Sequence, residues 1–155
     1  MSVAIKILAK NRQCNFAIKG GGHNPNSGYA NVQDGVTINF SNMAGVEVNG
    51  SVVKVGAGAR WLGVYEALEP LGLAVAGGRN GNVGVGGLLL GGGISHFTTR
   101  VGWACDNVVN YEVSFRKESV GDLTDELGCS LERSHCSGQC EDQLQFIPCS
   151  LRRRQ

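Results

Sequence analysis

Three consecutive glycines directly before a histidine are the residues here whose types and spacing best suit chemistry. Gly20, Gly21 and Gly22 follow a short apolar run and precede His23. Ordering glycine is entropically costly, so such a run belongs where the backbone turns sharply or touches a ligand. Successive glycine N–H groups in one turn form a concave anion site, and phosphate is the common guest. A neutral imidazole beside them is a nucleophile near pH 7, although a loop histidine that only forms hydrogen bonds is the alternative reading.

A second glycine cluster, "GGRNGNVGVGGLLLGGG", spans residues 77–93. Two clusters predict two close backbone approaches to one ligand, although turns alone are the alternative reading. The common nucleotide motifs do not match. There is no Gly-Lys pair for a P-loop, and Leu89 and Trp61 stand where the third glycine of G-x-G-x-x-G should be.

Strands and a hairpin are predicted around the first cluster. Helical spacing covers Ser2–Arg12, and short strands are expected at residues 14–19 and 35–40. Residues 45–56 contain two apolar runs around Asn49-Gly50, the strongest short-range signal for a β-hairpin.

A change of period predicts a helix before the second cluster. Apolar side chains at the i, i+3, i+4 and i+7 positions begin just after Arg60, and Pro70 and Gly72 end the pattern. A strand is expected at 73–78 and a last one at 107–115, whereas the glycine content of 83–93 argues against both helix and strand there. The element order indicates an α+β fold.

Composition limits the classes of protein that this chain can represent. The 155 residues suffice for one domain with a core, and 42% of them are hydrophobic. The formal net charge of +1 provides no global field for nucleic acid or a membrane surface. The first ten residues are too short and too interrupted by Lys6 for a signal peptide or membrane span. We therefore expect neither nucleic acid nor membrane as a partner.

Four segments in this order carry a resemblance to a known family. They read "IKGGGHNPNSGYAN", "GAGARWLGVYEAL", "GLAVAGGRNGNVGVGGLLLGGG" and "VGWACDNVVNYEV". Together they resemble the PCMH-type FAD-binding domain of the vanillyl-alcohol oxidase superfamily. The nearest branch is berberine-bridge-enzyme-like and 6-hydroxynicotine-oxidase-like, with a fungal character. The resemblance covers roughly residues 3–113 and implies an α+β, PCMH-type fold that is incomplete here.

The resemblance also implies a cofactor and the residues that bind it. In the family the first loop wraps the FAD pyrophosphate, and its histidine, here His23, bonds to the flavin 8α-methyl carbon. The second loop corresponds to residues 78–93 and passes the pyrophosphate and the flavin ring. The implied cofactor-binding residues are Lys19, Gly20, Gly21, Gly22, His23, Asn24, Gly78, Gly84, Val85, Gly86, Gly87, Gly102 and Val113.

Three departures from the family pattern qualify this expectation. Bicovalent members carry a cysteine in the second loop, but Arg79–Val83 contains none, so attachment through His23 alone is expected. Val101 stands where an aromatic residue is usual. Lys19 replaces a frequent arginine, which keeps the charge but loses the bidentate fork. The implied activity is oxidation of a small organic substrate by hydride transfer to the flavin, with no catalytic residue assignable.

The family pattern ends near residue 115. We expect residues 1–115 to be a partial FAD-binding domain and 116–155 a divergent tail with little fixed structure, and no substrate domain is recognisable. The alternative function is therefore a non-catalytic flavin-binding or inactive fragment. A third reading, zinc binding by His135, Cys136 and Cys140, is weaker because no C-x-x-C pair is present. Family members are often secreted, but the sequence indicates neither a compartment nor an oligomeric state.

Overall fold

The computed structural model describes residues 4, 7, 8, 14–114 and 145–152, and Ala4, Ile7 and Leu8 are helical. The strands are β1 (Asn15–Lys19), β2 (Gly35–Asn39), β3 (Val46–Asn49), β4 (Val52–Val55), β5 (Val108–Ser114) and β6 (Gln145–Arg152). The helices are α1 (Trp61–Leu68), α2 (Val85–Leu90) and α3 (Thr98–Val101), with 3-10 turns at Glu69–Leu71 and Cys105–Asn107. The predicted strands at 14–19, 35–40 and 107–115, the hairpin and the helix after Arg60 are confirmed.

Two sheets organise these strands. β1 and β2 pair in parallel, with Phe16 opposite Val36 and Ile18 opposite Ile38. The second sheet has the order β3-β4-β6-β5, and all of its pairings are antiparallel. A parallel pair needs a long crossover, and residues 20–34 supply it. The first glycine cluster therefore lies at the start of the connection between β1 and β2.

Strand β6 lies within the predicted tail, where the sequence predicts little fixed structure. For these eight residues that expectation does not hold, because β6 fills the position between β4 and β5. Proline disfavours a central strand because it has no N–H to donate. Here Tyr111 pairs with Cys149 and the next residue, Glu112, pairs with Ile147. Pro148 thus falls at a bulge. Residues 116–144 and 153–155, including the proposed zinc ligands, lie outside the described residues.

The core is built where α1 and α2 pack against the hairpin strand β4. Its largest fully buried side chains are Trp61, Leu68, Leu89, Val53, Val55, Val64 and Val85. Both helices contribute apolar residues at helical spacing, so each buries one face. None of the helices in the described ranges is long and apolar enough to span a bilayer.

Helix α2 corrects the prediction that residues 83–93 form neither a helix nor a strand. Val85 and Leu89 are four residues apart, lie on the same face and are 1% and 2% exposed. Burial of this apolar face outweighs the low helix propensity of Gly86 and Gly87, because tertiary packing usually decides helix formation. The helix ends at Gly91, before the positive φ angles of Gly92 and Gly93.

The prediction of a strand at residues 73–78 is wrong, because the structure has no strand there. This segment instead passes against the aromatic side chains of α1. A Cβ on Gly77 would lie 2.3 Å from the Trp61 ring, and one on Gly78 would lie 2.6 Å from Trp61 Cδ1. The Tyr65 hydroxyl donates to the Gly78 carbonyl at 2.6 Å. A side chain, rather than a neighbouring strand, therefore satisfies this backbone group.

Candidate functional site

The two glycine clusters meet in space, backbone against backbone. We call residues 20–24 the first glycine segment and 78–93 the second glycine segment. A Cβ on Gly21 would lie 2.4 Å from Gly84 Cα, and a Cβ on Gly84 would lie 2.6 Å from Gly21 N. Real Cβ atoms essentially never approach other atoms so closely, so this crossing requires glycine on both sides. The two clusters thus approach each other closely, whereas their approach to one ligand stays a prediction.

Arg60, the residue before α1, holds this crossing in place. Its backbone forms an antiparallel bridge with Gly84, flanked by bonds from Val85 N to Ala59 O at 3.0 Å and from Trp61 N to Val83 O at 3.1 Å. The sequence did not reveal Arg60 as a site residue, because its role depends on contacts with residues far along the chain.

The Arg60 side chain reaches both glycine segments. Arg60 Nη2 donates to the Gly21 carbonyl at 2.7 Å, and Arg60 Nη1 donates to the Asn82 carbonyl. One guanidinium thus joins the first segment to the second, beside the contact between Gly21 and Gly84.

Several backbone amide groups next to the crossing lack a hydrogen-bond acceptor among the described residues. Among the described residues, no acceptor is found for the N–H groups of Gly22, His23, Gly86 or Gly87. Gly86 and Gly87 lie in the first turn of α2, where a helix offers no carbonyl to its own amides. A Cβ on Gly87 would meet nothing within 4 Å, so the surface there is open. Free glycine amides at an open surface suit the oxygens of a diphosphate.

The side chains around His23 shape the first segment. His23 is exposed and follows Gly22, whose φ of 62° is in the region that favours glycine. A Cβ on Gly22 would lie 2.5 Å from Lys19 Cε, so the lysine stem packs against this turn. Asn24 Oδ1 accepts from Asn26 N at 3.0 Å and closes a local turn after the histidine.

Buried aromatic groups support the start of the second segment. Gly78 is buried beside Trp61 and Tyr65, whose ring centroids are 5.9 Å apart. Desolvation by burial raises the pKa of Tyr65 to about 12, so its hydroxyl stays a donor to the Gly78 carbonyl into the alkaline range. Trp61 Nε1 is buried and has no acceptor within the described part of the chain. Such an unpaired donor beside Gly78 is unusual in a native core.

Gly102 and Val113 lie apart from the crossing. Gly102 has φ 77°, and a Cβ there would lie 2.5 Å from Asp106 Oδ2. Its neighbours join the end of the second segment, because Ala104 N donates to Gly93 O at 2.8 Å. Val113 lies in β5, opposite Phe146 of β6. The structure thus brings Gly20 and Gly21 against Gly84, links Gly102 to the far end of the second segment and places Val113 in a sheet.

A cavity of about 410 Å³ lies beside the end of α1. Its walls are mainly apolar and include Leu73 and Phe97, with Tyr65, Glu69 and His96 as polar members. None of the residues implied to bind the cofactor lines it. The cavity is therefore separate from the crossing of the glycine segments.

Comparison with protein families identifies the class of domain to which these features belong. A model described as an FAD binding domain matches residues 2–123. The chain therefore belongs to the FAD-binding domain family. The match runs eight residues past the boundary that the sequence suggests at 115. The free glycine amides at the crossing fit the anionic part of this cofactor.

Fungal flavoproteins are among the similar sequences. An FAD-dependent monooxygenase of Cochliobolus heterostrophus is 50% identical over 108 residues, which are 68% of this chain and 21% of that protein. An FAD-dependent monooxygenase of Penicillium roqueforti is 48% identical over 119 residues, 75% of this chain and 23% of that protein. The chain thus spans about a fifth of the length of these relatives.

Solved structures show the same fold. 6-Hydroxy-D-nicotine oxidase from Arthrobacter nicotinovorans has a TM-score of 0.75 at 21% identity, over 98% of this chain and 33% of that one. A VAO-type flavoprotein from Myceliophthora thermophila also has 0.75, at 22% identity, over 98% and 29%. Glucooligosaccharide oxidase from Acremonium strictum, described with a 6-S-cysteinyl, 8α-N1-histidyl FAD, has 0.64 at 27% identity, over 74% and 24%.

These comparisons confirm the FAD-binding domain and the α+β, PCMH-type fold, which is shared with a VAO-type flavoprotein. They also confirm FAD as the cofactor of the family to which this domain belongs.

Proposed function

We propose that this chain is the FAD-binding part of an oxidoreductase that acts on a small organic substrate. The observation that carries the proposal is the crossing of Gly21 and Gly84, with amides lacking an acceptor on both glycine segments near it. The flavin-dependent relatives support the reaction class. When bound, the flavin supplies the redox chemistry by accepting a hydride from the substrate and passing electrons to oxygen.

The protein's own residues then bind and orient the cofactor. The amides of Gly22, His23, Gly86 and Gly87 donate to diphosphate oxygens, and the lack of side chains at the glycines lets the ligand reach the backbone. Lys19 adds positive charge next to the first segment. No residue of the described part is assigned as the catalytic acid or base.

We further propose that His23 attaches the flavin covalently. Its imidazole is exposed at the end of the first segment, so it is free to meet a ligand held at the crossing. Glucooligosaccharide oxidase, at 27% identity, is described with a histidyl and a cysteinyl link to FAD. Arg79–Val83 contains no cysteine, so one bond through His23 is expected here.

Acid denaturation tests the attachment. The purified protein, His23→Ala and His96→Ala are loaded with FAD, precipitated with acid, washed and examined for flavin fluorescence and mass. His96 is the matched control because it is also an exposed histidine but lines the separate cavity. Flavin should remain with the parent and His96→Ala chains and be washed from His23→Ala. Flavin retained by His23→Ala would exclude His23 as the attachment point.

The second candidate is a flavin-binding protein without turnover of its own. The matched part of the chain covers 21% and 23% of the two flavin-dependent relatives, and no residue of the described part is assigned to act on a substrate. An oxidase must hold its substrate within about 3–3.5 Å of the reacting atom. Flavin-loaded protein incubated with alcohols, amines and oligosaccharides should then release no hydrogen peroxide. Peroxide release that disappears in His23→Ala would favour the oxidase over this candidate.

A further inference from the structure

We propose that Arg60 is a positioning residue for FAD, which sets the separation of the two glycine segments through its guanidinium group. The inference rests on the proposed FAD site and adds a residue that the resemblance does not assign. Arg60 would act through the backbone of Gly21 and Asn82, without itself needing to touch the cofactor.

The geometry gives Arg60 three separate attachments at the crossing. Its main chain is bridged to Gly84, and its two terminal nitrogens donate to the carbonyls of Gly21 and Asn82. Gly21 is one residue from the free amide of Gly22, and Asn82 is four residues from that of Gly86. A change in the guanidinium therefore shifts the donors of one segment relative to the other.

The chemistry of these contacts requires arginine. A guanidinium presents five N–H donors in a rigid planar fork, whereas an ammonium is a point charge on a flexible stem. Both acceptors are neutral carbonyls, so the contacts do not cancel the charge. Among the described residues, the ion pair observed joins Lys54 and Glu47 at 3.9 Å and does not involve Arg60. No acidic side chain of these residues therefore neutralises the charge of Arg60 beside the proposed diphosphate site.

Two substitutions separate the effect of the planar guanidinium geometry from the effect of its positive charge. Arg60→Lys keeps the charge but cannot hold both carbonyls in one plane, and Arg60→Gln removes both. Because hydrogen bonds from charged groups are stronger than those between neutral groups, losing one attachment should raise the FAD dissociation constant about tenfold or more. If charge alone mattered, Arg60→Lys would bind like the parent.

The titration is done in a His23→Ala background so that FAD binding is reversible and independent of covalent attachment. FAD is titrated into apoprotein with arginine, lysine or glutamine at position 60, and Arg100→Lys is the matched control. Arg100 is an exposed arginine in α3 with no contact to either carbonyl. The dissociation constant should rise in Arg60→Lys and Arg60→Gln and stay within twofold in Arg100→Lys.

Two further readouts distinguish positioning from general stability. The absorption bands of flavin bound to Arg60→Lys should shift relative to the parent, because the separation of the two glycine segments around the cofactor has changed. Added guanidinium at millimolar concentration should restore part of the FAD affinity of an Arg60→Ala variant. This readout can be used even if lysine or glutamine at position 60 disturbs folding.

The inference is overturned if Arg60→Lys binds FAD within twofold of the parent with an unchanged spectrum. It is equally overturned if the variants at position 60 lower the melting temperature of the apoprotein but bind FAD with the affinity of the parent. A parent protein that binds no FAD would instead contradict the proposed function and remove the basis of this inference with it.

Discussion

Adding one methyl group at the crossing of the glycine segments should disrupt both the fold and FAD binding. Gly84→Ala is the sharpest form of this test, because Gly84 has an extended backbone with φ −70° that alanine can adopt. Any cost then comes from the contact and not from backbone strain. The new Cβ would lie 2.6 Å from Gly21 N and 2.7 Å from Gly21 Cα.

The size of the effect follows from what must move. The contacted atoms belong to the main chain of the first glycine segment, which cannot rotate away as a flexible side chain would. Overpacking at a tight site costs about 1–3 kcal/mol, so we expect unfolding free energy to fall by about that amount. Separation of the segments should also raise the FAD dissociation constant.

Urea unfolding followed by circular dichroism measures the first effect, and FAD titration measures the second. Gly63→Ala is the matched control, because a Cβ there meets nothing within 4 Å and Gly63 lies inside α1. That control should be unchanged or gain about 0.5–1 kcal/mol from helix propensity. A neutral surface substitution changes the free energy of unfolding by up to about 0.5 kcal/mol. If Gly84→Ala changes it by no more than that and binds FAD as well as the parent does, the close contact of Gly84 with Gly21 is contradicted.

Three other changes have defined outcomes. Gly87→Val should leave the apoprotein melting temperature nearly unchanged, because the site is open, but weaken FAD binding in a titration. Gly58→Ala should lower unfolding free energy by at least about 1–3 kcal/mol in urea, since its Cβ would fall 1.6 Å from Phe40 O; a neutral result would contradict that packing. Tyr65 has a folded pKa of about 12 against 10.0 when free, so its stabilisation is complete below pH 10 and is lost as the pH rises towards 12. Tyr65→Phe should abolish that part of the alkaline loss of stability, measured by thermal melts from about pH 9 to about pH 12.

Local signals in the sequence predict much of the first hundred residues. Alternating apolar residues predict β2, and Asn49-Gly50 predicts the β3–β4 hairpin, where Gly50 has φ 57°. Apolar spacing from Trp61 predicts α1, and Gly72, with φ 64°, ends the 3-10 turn that follows it. Each of these depends on residues close together in the chain, which is why pattern alone suffices.

Features that depend on distant contacts are not predicted. Helix α2 forms because Val85 and Leu89 are buried, although its glycines oppose a helix. Pro148 argues against β6 until the bulge that accommodates it is known. For the candidate site, the glycines and His23 are predicted from sequence, but the contact of Gly21 with Gly84 and the bonds of Arg60 are visible only in three dimensions.

Hydrogen–deuterium exchange of the protein with and without FAD tests the central claim most directly. The claim is that FAD binds where the two glycine segments cross. FAD should slow amide exchange in residues 20–24 and 84–88 together and leave the hairpin at 46–55 unchanged. Protection confined to another region, such as the wall of the cavity at 72–77, or protection of neither segment, would contradict the account.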